Sequence, residues 1–325
     1  MQVFERGWLS SNNILFTGAS PALVDSGYVL HAPQTLALVR HVLGERPLER
    51  LLNTHLHSDH CGGNAALQET YRCHTAIPAA EADKVARWDE DALSYRATGQ
   101  QCARFGFDAL LAPGDRLDLG DMSWQVLGAP GHDPHALLLY CEREGILVSG
   151  DALWENGFGV IFPELAGEPG FGEARATLDL IATLGARIVI PGHGRVFDDV
   201  EGALARAYSR LDYLASDPRR NAENALKVML KFLLLERQRI ALDALPGLLA
   251  SIPVVDSALR LMDQSAFVHV SEQVERVDGK PVHAFNERMQ TAAPPDAYTA
   301  LADWATHALV RAKAARIDAG YLLDA

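Results

Sequence analysis

Short apolar runs separated by turn residues open the chain. Ile14-Leu15-Phe16-Thr17, Ala22-Leu23-Val24-Asp25 and Tyr28-Val29-Leu30 are divided by Gly18, Pro21 and Gly27, a pattern that predicts antiparallel strands following one another. A helix is expected at Gln34–Leu43 behind Pro33, then a strand at Leu48–Asn53, with helical spacing again at Asn64–Glu69 and Ala79–Trp88. A second β-rich block begins at Asp115. Arg116–Leu119, Trp124–Leu127, Ala136–Tyr140 and Ile146–Ser149 are short runs punctuated by Gly and Pro, followed by an amphipathic helix at Glu173–Leu184 and the apolar strand Ile188–Ile190. Strands and then helices occur twice, which fits two packed sheets with helices on their outer faces.

The texture changes near Ser216-Asp217-Pro218. Helices are expected at Asn221–Arg239, Arg239–Leu249 and Val254–Met262, then a hairpin at Val268–His283 turning at Val277-Asp278-Gly279-Lys280, because Asp-Gly suits a tight two-residue turn. A last helix is expected over Ala297–Ile317. Three helices and a hairpin have the layout of a winged helix. The division expected is a larger domain over 1–215 and a helical, winged-helix-like domain over 216–325.

Composition narrows the function classes. Of 325 residues 48% are hydrophobic, enough for a sizeable core, yet no run approaches the roughly 20 apolar residues that cross a bilayer. Met1–Arg6 has no basic stretch leading into an apolar one, so a cytoplasmic protein without a membrane partner is expected. A formal charge of −13, with the acidic excess concentrated in residues 1–215, argues against nucleic acid as a partner. The four cysteines, Cys61, Cys73, Cys102 and Cys141, contain no CxxC pair and are expected to be thiols in a reducing compartment.

The chemistry concentrates in Thr54-His55-Leu56-His57-Ser58-Asp59-His60, which places four potential ligands within six residues at a strand end. Imidazole with carboxylate suits zinc, iron or manganese better than calcium, which takes oxygen alone. Three later positions share the setting of a strand end beside glycine: His132 in Ala129-Pro130-Gly131-His132, Asp151 in Ser149-Gly150-Asp151, and His193 in Pro191-Gly192-His193-Gly194.

Together these motifs resemble the metallo-β-lactamase superfamily over roughly residues 10–215, in the branch of the glyoxalase thioesterases (hydroxyacylglutathione hydrolases). The resemblance implies an α/β (α+β) fold, a four-layer αβ/βα sandwich with the metals at one edge between the sheets, followed here by a smaller, mostly helical C-terminal domain. It implies that His55, His57 and His132 hold one divalent ion, that Asp59, His60 and His193 hold a second, and that Asp151 bridges them. Zinc is the expected pair, with iron or manganese able to use the same donors. Asp25, in Val24-Asp25-Ser26-Gly27, matches a residue that steadies the metal loop. The expected reaction is attack on a small-molecule thioester or ester by a metal-activated hydroxide that Asp59 orients, with no Ser or Cys nucleophile.

Several features modify that expectation. Asp151 stands where class B1 β-lactamases carry a cysteine ligand, so antibiotic hydrolysis is not expected. Asp133-Pro134-His135 replaces the more frequent Thr-Pro-Gly, which makes His135 a candidate for the substrate pocket or for pairing with a carboxylate. Trp154–Pro169, rich in glycine and aromatics, is a candidate substrate-covering loop. The C-terminal part has no Arg or Lys arrangement matching glutathione recognition, and its apolar stretches Phe232–Leu235 and Leu301–Ile317 could serve a homodimer. Three rivals draw on these residues: an iron-dependent persulfide dioxygenase, which would use one iron and only the His55, His132 and Asp151 type of ligand; a phosphodiesterase or nuclease; and a metal-stabilised regulatory protein.

Overall fold

Alternation along the central strands decides which side chains are buried against what, and both large sheets bury both of their faces. The computed structural model describes residues 1–267 and 295–325. The strands β1 (Gln2–Phe4), β2 (Asn13–Phe16), β3 (Ala22–Val24), β4 (Arg50–Leu52), β5 (His74–Pro78) and β6 (Ala109–Leu111) form one sheet in chain order. β1 to β3 pair antiparallel and β3 to β6 parallel. The strands β7 (Arg116–Leu119), β8 (Met122–Gly128), β9 (Leu137–Cys141), β10 (Ile146–Gly150) and β11 (Ile188–Pro191) form the second, ordered β11-β10-β9-β8-β7. There the pairing is antiparallel except between β10 and β11.

Ile14, Val24 and Leu52 are cross-strand neighbours on one face of the first sheet, and they pack against Trp124, Val126, Leu139 and Val148 of the second. One residue out of phase, Leu15, Leu23 and Leu51 turn the other way onto Val39 and Leu43 of the helix Ala32–Leu43 and onto Leu67 of the helix Asn64–Tyr71. In the second sheet, Leu138, Tyr140 and Leu147 likewise face away from the first sheet, onto the helices Phe171–Thr183 and Val200–Ala215. Side chains of period 2 thus build a helix–sheet–sheet–helix sandwich, the expected fold class.

Because β8 and β10 are both antiparallel to β9, and β10 is parallel to β11, β8, β10 and β11 end at the same edge of their sheet. The loops after them carry His132, Asp151 and His193. The loop after β4 carries His55 to His60 and is joined to the second sheet by the Leu137 amide, which donates to the Thr54 carbonyl at 2.8 Å.

The chain divides into two compact units, Met1–Ser216 and Asp217–Ala325. The second contains the helices Pro218–Arg237, Leu245–Ala250, Pro253–Phe267 and Pro295–Arg311 and a small antiparallel sheet. That sheet has the order β12 (Arg239–Ala241), β14 (Tyr321–Asp324), β13 (Ala315–Asp318). Among the described residues, no helix is long and apolar enough to cross a membrane.

Three local expectations change. Tyr28–Leu30 is no strand: Val29–His31 is a tight 3-10 turn leading into the helix, anchored where the Tyr28 amide donates to Ser10 Oγ. Arg239–Leu249 is not one helix, because Pro246 lacks the N–H that an interior position needs; a strand comes first, and the helix starts at Leu245 with the proline in its first turn. The helix expected over Ala297–Ile317 stops at Arg311, and the chain returns as the β13–β14 hairpin across Ala319-Gly320, both at positive φ. The hairpin expected at Val268–His283 lies outside the described residues.

Candidate metal centre

Strand ends and loops bring His55, His57, Asp59, His60, His132, Asp151 and His193 into one buried group. Within this group, ligand atoms within 4.8 Å of one another occur in three sets: His55, His57 and His132; His55, His60 and Asp151; and Asp59, His60 and His193. Asp151 lies among them, with Oδ1 3.3 Å from His60 Nε2 and Oδ2 3.4 Å from His132 Nε2. His57 Nδ1 is 2.8 Å from His132 Nε2, and His193 Nε2 is 3.0 Å from Asp59 Oδ2.

The partners on the far side of each ring fix which nitrogen faces the group. Asp25 accepts from His60 Nδ1 at 2.8 Å, and also from the Thr54 amide at 2.9 Å and the Thr54 hydroxyl at 2.8 Å. His60 Nε2 is thereby presented towards Asp151. His132 donates from Nδ1 to the Val160 carbonyl at 2.5 Å, leaving Nε2 for the cluster. Such outer partners set the tautomer and the aim of ligand imidazoles. Trp154 Nε1 donates to Asp151 Oδ1 at 3.2 Å.

The charges are set by this crowding. Burial, with His60 and His57 close by, holds the His55 imidazole well below its ordinary pKa, and burial holds His57 down as well. His132 is pushed down to about 4 by burial and then by His57. Burial also works against a charged His60, but Asp151 and Asp25 overcome it and raise that ring well above the ordinary value. For Asp151 burial opposes ionisation, yet His193, His60 and His132 keep the carboxyl well below the carboxylate range. Asp59 is lowered too: burial opposes its ionisation most, but the hydrogen bond from His193 together with the charges of His60 and His193 outweighs it.

A metal pair suits these donors. His55 Nε2 and His60 Nε2 are buried without a hydrogen-bond partner, and an unsatisfied buried nitrogen is costly unless something coordinates it. The backbone is shaped to leave room: a Cβ on Gly192 would lie 2.2 Å from Asp151 Oδ1, and one on Gly159 would lie 2.4 Å from His132 Nδ1.

His135 stands apart from the seven-residue group. Its Nδ1 pairs with the buried Glu81 carboxylate, which Lys84 also holds at 2.9 Å. Its amide donates to Asp133 Oδ1 at 2.7 Å, and Asp133 Oδ2 lies 3.7 Å from His57 Nε2. Cys61 is buried beside Cys102 and Tyr95, and burial pushes its thiol pKa up, consistent with an inert packing residue. The Trp154–Pro169 segment lies against the group: Val160 holds His132, and Phe162 sits with its ring centroid 5.5 Å from that of His57.

Sequence reasoning missed Thr54, the Val160 carbonyl, Glu81, and Trp8, whose ring stacks on His193 at a centroid distance of 5.3 Å. Thr54 had a legible signal, since it abuts the His run. Trp8 and Glu81 lie 185 and 54 positions from the histidines they touch, a separation no local pattern reveals.

Residues 6–193 match the metallo-beta-lactamase superfamily. A hydroxyacylglutathione hydrolase of Anaeromyxobacter dehalogenans is 32% identical over 62% of this chain and 69% of that protein. One of Hyphomonas neptunium is 30% identical over 44% of this chain and 53% of its own length. The chain thus spans about half the length of several of the curated relatives it matches. Among solved structures, a protein in a di-iron-bound form is similar with a TM-score of 0.51 and 26% identity, covering 64% of this chain and 98% of that one. The match over residues 6–193, more than half of the chain, establishes that it belongs to the metallo-beta-lactamase superfamily.

Proposed function

We propose that this chain is a dinuclear metal-dependent hydrolase acting on a small-molecule thioester or ester. The observation that carries the reading is the position of Asp151, with one carboxylate oxygen near His60 and the other near His132. A carboxylate so placed can be shared by two sites. His55, His57 and His132 would hold the first ion, and Asp59, His60 and His193 the second. Two divalent ions bound there would supply an activated water and a Lewis acid for the substrate carbonyl.

The remaining steps belong to the protein. Asp59 Oδ2 lies beside His193 Nε2, where both would turn to the second ion, which leaves Oδ1 to accept a hydrogen bond from the attacking water and aim it. Asp25 and the Val160 carbonyl keep Nδ1 of His60 and of His132 occupied, so that both rings face inwards. Trp154 restrains Asp151 through its indole N–H. No serine or cysteine nucleophile is required.

A thioester substrate is supported by the hydroxyacylglutathione hydrolases among the relatives. Zinc is the proposed metal because of the mixed imidazole and carboxylate donors; the di-iron form of a similar protein makes iron the competitor. The test is metal analysis of the purified protein joined to a panel of thioester, ester, lactone and phosphodiester substrates. We expect two ions per chain, fastest turnover on a thioester or ester, and loss of turnover in Asp59→Ala. Faster hydrolysis of bis(p-nitrophenyl) phosphate would instead make the chain a phosphodiesterase. A single iron with oxygen uptake on glutathione persulfide would make it an oxygenase.

A further inference from the structure

A large aromatic side chain left in water beside a cluster of ligand histidines asks for an occupant. Trp8 is 55% exposed, and its ring lies parallel to that of His193, tilted by 7° at a centroid distance of 5.3 Å. Trp154 meets Trp8 edge-on at 5.1 Å and His193 edge-on at 5.4 Å. Across the group, the partly exposed Phe162 lies edge-on to His57 at 5.5 Å and stands 5.7 Å from His132. The histidines are therefore bordered by aromatic rings on both sides.

The Trp8 turn is mounted on the same loops that carry the ligands. The Ser10 amide closes the turn onto the Gly7 carbonyl, the Ser11 amide donates to the Asp59 carbonyl at 2.9 Å, and the Asn12 amide donates to the Gly192 carbonyl at 2.6 Å. Asn12 Nδ2 donates to the carbonyls of Pro191 and Gly194. These bonds fix the turn against the backbone on either side of His193. A tryptophan held this firmly and still exposed presents a preformed flat apolar surface rather than a mobile side chain.

Among the described residues, the arginines two positions from Trp8 and from His193 are already engaged. Arg6 donates to Asn13, Thr35 and Gln34, and Arg195 is paired with Glu155. Neither is free to receive a carboxylate of an anionic peptide-like substrate. A flat, uncharged group suits the surface better, by stacking and by removal of apolar area from water.

We propose that Trp8, backed by Trp154, is the specificity surface of the site, and that the substrate carries an aromatic ring in its acyl part which stacks on Trp8. This rests on the hydrolase reading, and the test separates the two. Wild type, Trp8→Ala and Trp8→Phe, each loaded with zinc, are compared on phenylacetyl and acetyl thioesters of one thiol. Binding of the free acids, phenylacetate and acetate, is measured by calorimetry without turnover.

The ratio of kcat/KM for phenylacetyl over acetyl should fall about tenfold in Trp8→Ala and largely return in Trp8→Phe. Phenylacetate binding should weaken in parallel. Using a ratio removes any general loss of folded or loaded enzyme. An unchanged ratio with unchanged phenylacetate binding in Trp8→Ala would overturn the proposal while leaving the hydrolase in place. Absence of turnover on every thioester, with phenylacetate binding still dependent on Trp8, would remove the hydrolase reading and keep the surface.

Discussion

A single carboxylate, Asp25, holds the turn that starts the metal loop and the ring of one proposed ligand. It accepts from the Thr54 amide, the Thr54 hydroxyl and His60 Nδ1 while sitting at φ 58°, a conformation that Asn tolerates nearly as well as Asp. Asp25→Asn is therefore a change of chemistry with little backbone strain, putting a neutral amide where His60 needs an acceptor. Affinity for one of the two ions should fall about 10- to 100-fold, read by titration against a fluorescent chelator; two ions bound as tightly as in wild type would refute the role. Gly192→Ala works by volume instead, since the new methyl would meet Asp151 Oδ1 at 2.2 Å. It should abolish stoichiometric binding of both ions while far-ultraviolet circular dichroism stays native; retention of two ions would show that Asp151 is not shared. The seven proposed ligands were legible in the sequence because each follows a strand and sits beside glycine or another ligand. Of their outer partners Asp25 was legible, through the resemblance of Val24-Asp25-Ser26-Gly27; a carbonyl such as Val160 has no side-chain identity, and Glu81, which holds the neighbouring His135, reaches it across 54 positions.

Elements were legible where one period dominated and obscure where two competed. The continuous apolar strands β2 and β10, the alternating strand β8 and the amphipathic helix at Phe171–Thr183 fell where their patterns placed them, within a residue or two. The edge strands β1 and β6 are three residues each, too short for any period to register. The end of the Pro295–Arg311 helix was hidden because Ala-Lys-Ala-Ala-Arg continues a helix-forming composition; the break comes from Lys313 at φ 57° and the pairing of β13 with β14. Asp199 precedes the helix Val200–Ala215, and its carboxylate accepts from the Gly202 amide at 3.1 Å. Asp199→Ala should lower stability by about 1 kcal/mol through the lost cap, measured by urea unfolding. A change below the error of that measurement would assign the cap no energetic role.

At the scale of the whole molecule, packing so many ionisable groups at one sandwich edge makes the stability of the metal-free protein depend on pH. His132 titrates at about 4 when folded, against an ordinary value of 6.5. Between those limits the unfolded chain carries a proton that the folded chain refuses, so falling pH favours unfolding, by about 3 kcal/mol from this ring alone. His55 and His57 are shifted in the same direction. Asp59 and Asp151, held below the carboxylate range, add stability that is lost only as pH falls below 3.8 towards their folded values. His60 opposes them: its raised value contributes stability fully present below 6.5 and lost as pH rises through the folded pKa. Between 6.5 and 4, where His60 is protonated in both states and adds no slope, the three lowered imidazoles set the direction. The melting temperature of chelator-treated protein should fall steadily between about pH 7 and pH 5. Saturating zinc should raise it at pH 7, because ligands that bind only the folded chain stabilise it. That increment should shrink towards pH 5, since each imidazole ligand must be deprotonated to bind. A metal-free melting temperature that climbs on acidification below pH 6.5, where His60 no longer contributes, would mean that the inward-facing, neutral state proposed for His55, His57 and His132 is wrong.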